Sequence, residues 1–374
     1  MIRFRAPQVT LFAALIGMPA SLAAQIVSTA DNTGYGTTAA EFLLLGATAR
    51  GMALGGMYSA IATDIGGLNA NPGATALMKR PGAMGSQLQW VGDTKLNWGA
   101  VAMPYGGGSS VIGFQLGSFG FSDQPVYTPQ QTDGTGAFYS VSEQFVAMTM
   151  AKNFSDRFSV GVTAKGIFDK LGDVSGSAFA IDFGTHFHSQ LAGKSVRFAF
   201  TLTNLGTELK YNGQALRHKI VRDSLPGDGD VGSLPQQAQY ETSPFALPTM
   251  FRVALAYDVL STKDARLTLG SEFNQMRTNK AAYGGGAEFA ADKVGGTPFG
   301  FALRGSWTSN PSLAYNVEPG YVIPDKDKAL KQGFAYGGGV NIMTKGGFAV
   351  GFDYAHRSVG TLGNASFYTF SLGW

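Results

Sequence analysis

The chain has 374 residues, with 28 Lys or Arg against 25 Asp or Glu, so its net charge is only +3. Charged residues make up 14% of the chain, whereas average soluble domains carry roughly 25%. It has no cysteine, which excludes a disulfide framework and an acylated cysteine anchor. The small net charge gives no reason to expect nucleic acid as a partner.

The beginning of the chain has the order of a secretory signal peptide. Arg3 and Arg5 precede an apolar run at 9–18, and the small-residue stretch PASLAA follows at 19–24. We expect cleavage before Gln25, so that residues 1–24 are the signal peptide. An uncleaved membrane anchor is the alternative, but the apolar run is well short of the ~20 residues that a spanning helix needs.

From about residue 84 onward, apolar residues alternate with small or polar ones. Phe348, Val350 and Phe352, for example, alternate with Ala349 and Gly351. Because strand side chains point alternately to two faces, this pattern predicts strands with one apolar face. About fourteen strands are predicted, centred near Leu88, Ala100, Phe114, Phe145, Val162, Phe183, Phe200, Leu255, Leu269, Ala287, Leu303, Gly339, Phe352 and Phe370.

The second face of these strands favours a transmembrane barrel over a soluble β-sandwich. It consists mostly of Gly, Ala, Ser and Thr with scattered charges, whereas a sandwich would present a richly charged face to water. The three longest connections, at 122–137, 205–247 and 310–332, are the third, seventh and eleventh, so all fall at one end. The sequence therefore predicts an all-β fold: a transmembrane antiparallel β-barrel over residues 81–374, with an even number of strands.

The last strand resembles the terminal assembly signal of bacterial outer-membrane barrels. One face of it is large and apolar and ends on Trp374, while Thr369 and Ser371 are on the other face. We therefore expect a protein of the bacterial outer membrane that contacts outer-membrane lipid. The candidate assembly signal consists of Tyr368, Phe370, Leu372 and Trp374.

Charged residues on the small or polar face are expected to point into the barrel lumen. They either line a permeation path or, as we prefer, pair across the lumen, since charges kept from bulk water are usually compensated. The candidates are Lys165, Asp182, Arg197, Arg252, Asp258, Arg266, Glu272, Arg304 and Asp353.

The sequence gives no sign of catalysis or of a cofactor. His186 and His188 share a strand face, but no nearby residues complete a set of metal ligands. The glycine runs at 106–108, 284–286 and 337–339 lack the ending and the strand-to-helix context of a phosphate-binding loop. We therefore expect neither an enzyme nor a metal site.

Residues 36–80 do not alternate and are rich in small residues, which permits close backbone packing. They are expected to form a plug within a plug region of 25–80, with a short helix at 59–64; a loosely attached periplasmic tail is the alternative.

Three motifs of the chain resemble the PorV/PorQ-like branch of the FadL-type outer-membrane proteins. They are GATARGMALGGMYSAIATD at 46–64 with Asn71-Pro72 after it, TNLGT at 203–207 and LPTMFRV at 247–253. That resemblance implies a fourteen-stranded barrel whose amino-terminal segment plugs the periplasmic side. The plug residues that it singles out are Arg50, Gly51, Gly55, Gly56, Asp64, Asn71 and Pro72.

Three functional hypotheses follow. The first, which we favour at this point, is a PorV-like component of type IX protein secretion. It would bind exported cargo and other secretion components through its external loops, because the connection at 205–247 has three prolines, with Pro248 directly after it, and few clustered apolar residues. The second is a FadL-like transporter whose partner is a hydrophobic small molecule. The third is a structural outer-membrane protein.

Overall fold

The structure is a computed structural model that describes residue 34 and residues 36–220, 236–279, 281–309, 333–344 and 346–374. The expected signal peptide and the connection predicted at 310–332 lie outside the described residues. Among those described, no helix has the length and apolar character that crossing a bilayer requires.

Fourteen strands of the described chain form one closed antiparallel barrel. Each pairs with its neighbours in chain order, and the first pairs with the last to close the ring. This confirms the predicted fold class, and each predicted strand centre falls in a different strand. The barrel strands are β1 (Gly82–Gln89), β2 (Lys95–Tyr105), β3 (Ser110–Pro125), β4 (Phe138–Ser155), β5 (Phe158–Leu171), β6 (Val174–Leu191), β7 (Lys194–Gly206), β11 (Met250–Ser261), β12 (Ala265–Met276), β13 (Ala282–Ala291), β14 (Phe299–Thr308), β15 (Phe334–Met343), β16 (Ala349–Ser358) and β17 (Asn364–Gly373).

The apolar face of the strands points outward. On β17, Tyr368 and Phe370 are 38% and 49% exposed, whereas Thr369 between them is 2% exposed. Phe352 on β16 lies directly opposite Phe370 and is also exposed. An apolar outer surface around a polar interior is what a bilayer requires of a barrel.

The connections differ between the two ends of the barrel. At one end, named the turn end, they are short; the β6–β7 turn is Ala192-Gly193, with both residues in the left-handed region at φ 52° and 74°. This two-residue turn follows the natural twist of a hairpin. The opposite end, named the loop end, has the long connections 126–137 and 207–249.

The long connection 207–249 has structure of its own that the sequence did not predict. It contains the short strands β8 (Asn212–Gly213), β9 (Arg217–Ile220) and β10 (Gln236–Gln239). β8 pairs with the loop-end part of β6, and β9 pairs with β10. The predicted connections at 122–137 and 205–247 also began too early, because β3 continues to Pro125 and β7 to Gly206.

Residues 36–80, named the inner segment, lie inside the ring of strands. Helix α1 (Ala49–Ala53) contacts β14 to β17, the 3₁₀ turn Tyr58–Ala60 contacts β7, β11 and β12, and the 3₁₀ turn Ala74–Leu77 contacts β3 to β6. The segment also contains the 3₁₀ turn Glu41–Leu44 and helix α2 (Gly67–Ala70).

The helix predicted at 59–64 was wrong. A single 3₁₀ turn ends at Ala60, and the Asp64 carboxylate accepts the Gly66 N–H at 2.9 Å. Aspartate side chains compete with helical hydrogen bonding in this way, and they favour turns.

Glycines let the backbone of the inner segment touch the wall. A Cβ on Gly56 would lie 2.5 Å from the Gly285 nitrogen, and one on Gly161 of β5 would overlap the Pro72 carbonyl group. Only glycine permits such approaches, which explains why small residues are frequent on the inner face of the strands.

Candidate functional site

The nine charges that the sequence assigned to the lumen all lie in inward-facing rows of their strands. Lys165 and Asp182, both buried, form an ion pair at 2.8 Å across β5 and β6. Arg197 pairs with Asp258, which also accepts a hydrogen bond from Thr268 at 2.7 Å. Compensation of this kind is what burial of charge requires.

Two further lumen charges, Glu272 and Arg252, contact the inner segment. Glu272 accepts the Ser59 N–H at 3.1 Å, and Arg252 donates to the Ala70 carbonyl at 3.4 Å. These contacts tie β11 and β12 to the inner segment.

A network named the charge cluster, consisting of Arg50, Asp64, Arg266, Glu288, Arg304 and Asp353, joins the inner segment to β12, β13, β14 and β16. Glu288 is its centre: it accepts from Arg50 Nε at 2.8 Å, Arg304 Nε at 2.8 Å and Arg266 at 3.3 Å. Arg50 also pairs with Asp64 at 2.6 Å, and Arg304 with Asp353. Three cations meet three anions, so the cluster is neutral as a whole.

Sequence reasoning missed Glu288. The signal was present, because the outward-pointing Ala287 and Phe289 flank Glu288 in the alternation of β13. A charge at such a position has to face the lumen.

Asn71 and Pro72 fasten the inner segment to β5 and β6. Asn71 Nδ2 donates to the carbonyl groups of Ser59 at 2.9 Å and Thr185 at 3.1 Å, and Asn71 Oδ1 accepts the Gly73 N–H at 3.0 Å. Pro72 lies where Gly161 leaves room for it. The side chain of Asn71 therefore links two parts of the inner segment to the barrel wall.

A cavity of about 560 Å³, named the loop-end cavity, lies between the inner segment and the wall. Trp90, Asn279, Ser309 and Val359, all from connections at the loop end, place it there. Its large apolar lining residues include Leu44, Leu45, Met52, Trp90, Met250 and Met276, and its polar lining residues include Arg252, Glu272, Asn274, Asn279 and Arg357. Of these, the sequence had singled out only Arg252 and Glu272, because loops and distant strands supply the others.

Two guanidinium groups that line this cavity stand outside the ion pairs described above. Among the described residues, neither Arg252 nor Arg357 forms an ion pair. Arg357 donates to the Met52 sulfur at 3.5 Å and Arg252 to the Met250 sulfur at 2.9 Å. Sulfur is a weak acceptor, so both groups retain unused hydrogen-bonding capacity.

A second cavity, of about 380 Å³ and named the turn-end cavity, lies on the opposite side of the inner segment. Arg80, Asp292 and Ala349 place it at the turn end, and all six residues of the charge cluster line it. Ala302 of β14 also lines this cavity.

The two cavities are separated by a thin layer of the inner segment. Tyr58, Gly51 and Gly66 line the loop-end cavity, whereas Arg50 and Asp64 line the turn-end cavity. The Tyr58 hydroxyl donates to Asp64 at 3.3 Å, and the Arg50 guanidinium lies 5.9 Å from the centre of the Tyr58 ring. The aromatic ring thus belongs to one cavity and its hydrogen-bond partner to the other.

His186 anchors the inner segment. It is fully buried, and its Nε2 lies 3.0 Å from the Ala60 carbonyl oxygen, while the His188 ring is 6.0 Å away between centroids. Within the described chain, no group of three His, Cys, Asp or Glu side chains is arranged to hold a metal ion.

Asn204 explains the TNLGT motif at the end of β7. It adopts the left-handed conformation with φ 59°. Its side chain accepts a hydrogen bond from Lys165 at 2.7 Å and donates one to the Pro248 carbonyl at 3.2 Å. Its backbone N–H donates to Asp182 at 2.8 Å. These bonds hold together the two ends of the connection 207–249.

Further along that connection, burial and a hydrogen bond to Asp169 raise the pKa of Tyr211 well above its ordinary value.

Comparison with known proteins identifies a fold but no family. No family model matches the chain, and no curated protein matches it. Among solved structures, the chain is similar to the toluene transporter TbuX of Ralstonia pickettii at 10% identity, with 88% of this chain and 97% of that one covered and a TM-score of 0.50. The CymD monoaromatic hydrocarbon channel gives 11% identity, the same coverage and a TM-score of 0.50. The P. putida toluene transporter TodX gives 9% identity, coverage of 88% and 96%, and a TM-score of 0.50.

Proposed function

We propose that this chain, which has the barrel fold of FadL-type outer-membrane channels, admits small hydrophobic molecules into the loop-end cavity for passage across the outer membrane. The loop-end cavity carries the proposal. Its 560 Å³ lies within the ~300–1,000 Å³ of typical small-molecule sites. A cavity of about 150 Å³ is enough for benzene, so the space accepts a substituted ring or a longer chain.

The fold comparisons agree with this proposal. The similar structures are transporters of toluene and a channel for monoaromatic hydrocarbons. Identity near 10% carries only the fold, so the independent support is the apolar lining of the cavity in this chain. None of these structures is a secretion component, and the comparisons favour the transport hypothesis over type IX secretion.

The guanidinium groups of Arg252 and Arg357 make the proposal more specific. A pure hydrocarbon would leave the remaining hydrogen-bonding capacity of Arg252 and Arg357 unused, whereas an oxygen acceptor on the molecule would accept hydrogen bonds from both groups. Hydrogen bonds to charged groups contribute about 1.5–3 kcal/mol each. We therefore propose a hydrophobic molecule with an acceptor oxygen as the preferred ligand.

Trp90 lines the loop-end cavity and provides a direct binding signal. In detergent, we expect saturable changes in tryptophan fluorescence with benzoate and weaker ones with toluene, which has the same ring but no acceptor. Arg357→Met should remove the preference for benzoate and preserve toluene binding. Equal affinities for benzoate in both proteins would contradict the assigned role of Arg357.

A pair of glycine substitutions tests the cavity itself. A Cβ on Gly55 would meet other atoms only at 3.7 Å or more, so Gly55→Leu is expected to fill the loop-end cavity and abolish binding and uptake. Gly85→Leu is the matched control, because Gly85 faces outward on β1 with open space around its Cβ. Undiminished uptake by the Gly55 variant in liposomes, or co-purification of exported proteins without saturable binding, would favour the secretion hypothesis.

A further inference from the structure

We propose that Tyr58 is the gate between the loop-end and turn-end cavities, so that the route across the membrane passes through the inner segment beside Tyr58. The proposal rests on the proposed function, since it assigns the exit of the molecule that the loop-end cavity admits. It begins from the arrangement of two cavities on opposite sides of one thin layer.

At two places in the layer, neighbouring residues of the inner segment line different cavities. Arg50 and Asp64 line the turn-end cavity, and their near neighbours Gly51 and Gly66 line the loop-end cavity. The ring of Tyr58 fills the space between these two glycines. A Cβ on Gly51 would lie 2.8 Å from the ring, and one on Gly66 would overlap the hydroxyl oxygen.

The contacts of Tyr58 suit a movable side chain. Its hydroxyl donates a long hydrogen bond of 3.3 Å to Asp64, and the Thr48 side chain is a second polar neighbour. Asp64 has a second and shorter partner, Arg50 at 2.6 Å, so it stays compensated when Tyr58 moves away. The loop-end cavity beside the ring gives it room to rotate. A packed side chain with weak polar bonds and adjacent empty space can exchange between two positions.

The rest of the layer is held more firmly than Tyr58. Arg50 is held by Glu288 through two hydrogen bonds of 2.8 and 2.9 Å, and Glu288 is bonded in turn to Arg304. Breaking this buried network is costly. Movement of Tyr58 alone opens the layer at the lowest cost.

The absence of cysteine from the chain allows a clean test of access. A single cysteine at Ala302, in the turn-end cavity, is treated with a membrane-impermeant methanethiosulfonate reagent added only to the outside of liposomes. Ala282→Cys, in the loop-end cavity, reports entry from the loop end, and Asp264→Cys, in a turn at the other end, reports reversed or leaky vesicles.

We expect Tyr58→Ala to accelerate modification of the cysteine at 302 about tenfold or more, since removal of the ring shifts the equilibrium toward the open state. Gly66→Ala should have the same effect by displacing the tyrosine. Ile61→Ala is the matched control: Ile61 is a buried side chain of the inner segment that lines neither cavity. Heat-modifiable migration checks that each barrel is folded.

The proposal is overturned if Tyr58→Ala leaves the rate at 302 unchanged, or if Ile61→Ala raises it equally, because the second result would mean general loosening. These labelling rates require no substrate. If the protein binds no ligand but Tyr58→Ala is labelled fast, the proposed function is refuted and the gate stands. If the protein binds ligand but Tyr58→Ala is not labelled faster, the gate alone is refuted.

Discussion

Glu288 shows how a single buried residue can organise the lumen. Glu288 is 1% exposed, and its carboxylate accepts hydrogen bonds from Arg50 on the inner segment and from Arg266 and Arg304 on the wall. Removing one member of such a network leaves the others buried without compensation. The residue therefore affects the inner segment and the wall together.

We expect Glu288→Gln to lower the free energy of unfolding by about 3–5 kcal/mol, the usual cost of breaking a buried ion pair on one side. The measurement is the urea midpoint of the loss of heat-modifiable migration. Asp292→Asn, which alters an exposed carboxylate just beyond the same strand, is the control and should change little. Similar midpoints for both variants would mean that the cluster contributes nothing to stability.

The outward face makes a second prediction at the residue scale. Phe352, 46% exposed within β16, should tolerate arginine poorly, at a cost of about 2–4 kcal/mol if it lies near the bilayer midplane. Phe348, four positions earlier and at the turn end, should lose only about 0–1 kcal/mol as Phe348→Arg. Folding into lipid vesicles in urea measures both. Equal costs would place both residues at the same depth.

At the scale of elements, the ends of the chain and of its strands determine how the barrel is held together. The outward residues Tyr368, Phe370 and Leu372 lie on β17, which pairs with both β16 and β1, and Trp374 directly follows this strand. Their role as an assembly signal remains a prediction. The base of the connection 207–249 is held by Asn204, which bonds to β5, β6 and Pro248.

We expect Asn204→Ala to loosen that connection and leave the barrel folded. Alanine cannot replace the side-chain hydrogen bonds, and it adopts the left-handed conformation less readily than asparagine. Limited proteolysis should then cleave 207–249 several times faster. Asn97→Ala is the control, because Asn97 faces outward and, within the part of the chain that the structure describes, its side chain bonds only to Gln87. Unchanged cleavage in the Asn204 variant would show that other contacts hold the loop.

For the whole molecule, we expect the inner segment to determine whether the barrel conducts. It fills the ring between β3–β6 on one side and β14–β17 on the other. The intact protein should therefore show only small ionic currents in planar bilayers.

Deletion of residues 46–71 should open a large and stable conductance, because the strands close their ring without that segment. Deletion of 127–136 is the control: the Val126 N–H donates to the Ala137 carbonyl at 2.9 Å, so the ends of this loop already meet. It should leave the conductance small. A closed pore after deletion of 46–71 would show that something other than the inner segment blocks the lumen.

The sequence by itself determined the barrel, because alternation is a local property that follows from the geometry of a strand. Fourteen strand centres, the outward apolar face and the end with the long connections could all be read from residue order. Only the tertiary structure decided the site. The loop-end cavity, the central position of Glu288 and the seat of Tyr58 between Gly51 and Gly66 depend on residues that are far apart in the chain. Which residues meet inside a closed ring depends on the register of all its strands and on the path of the segment it encloses, and neither is a local property.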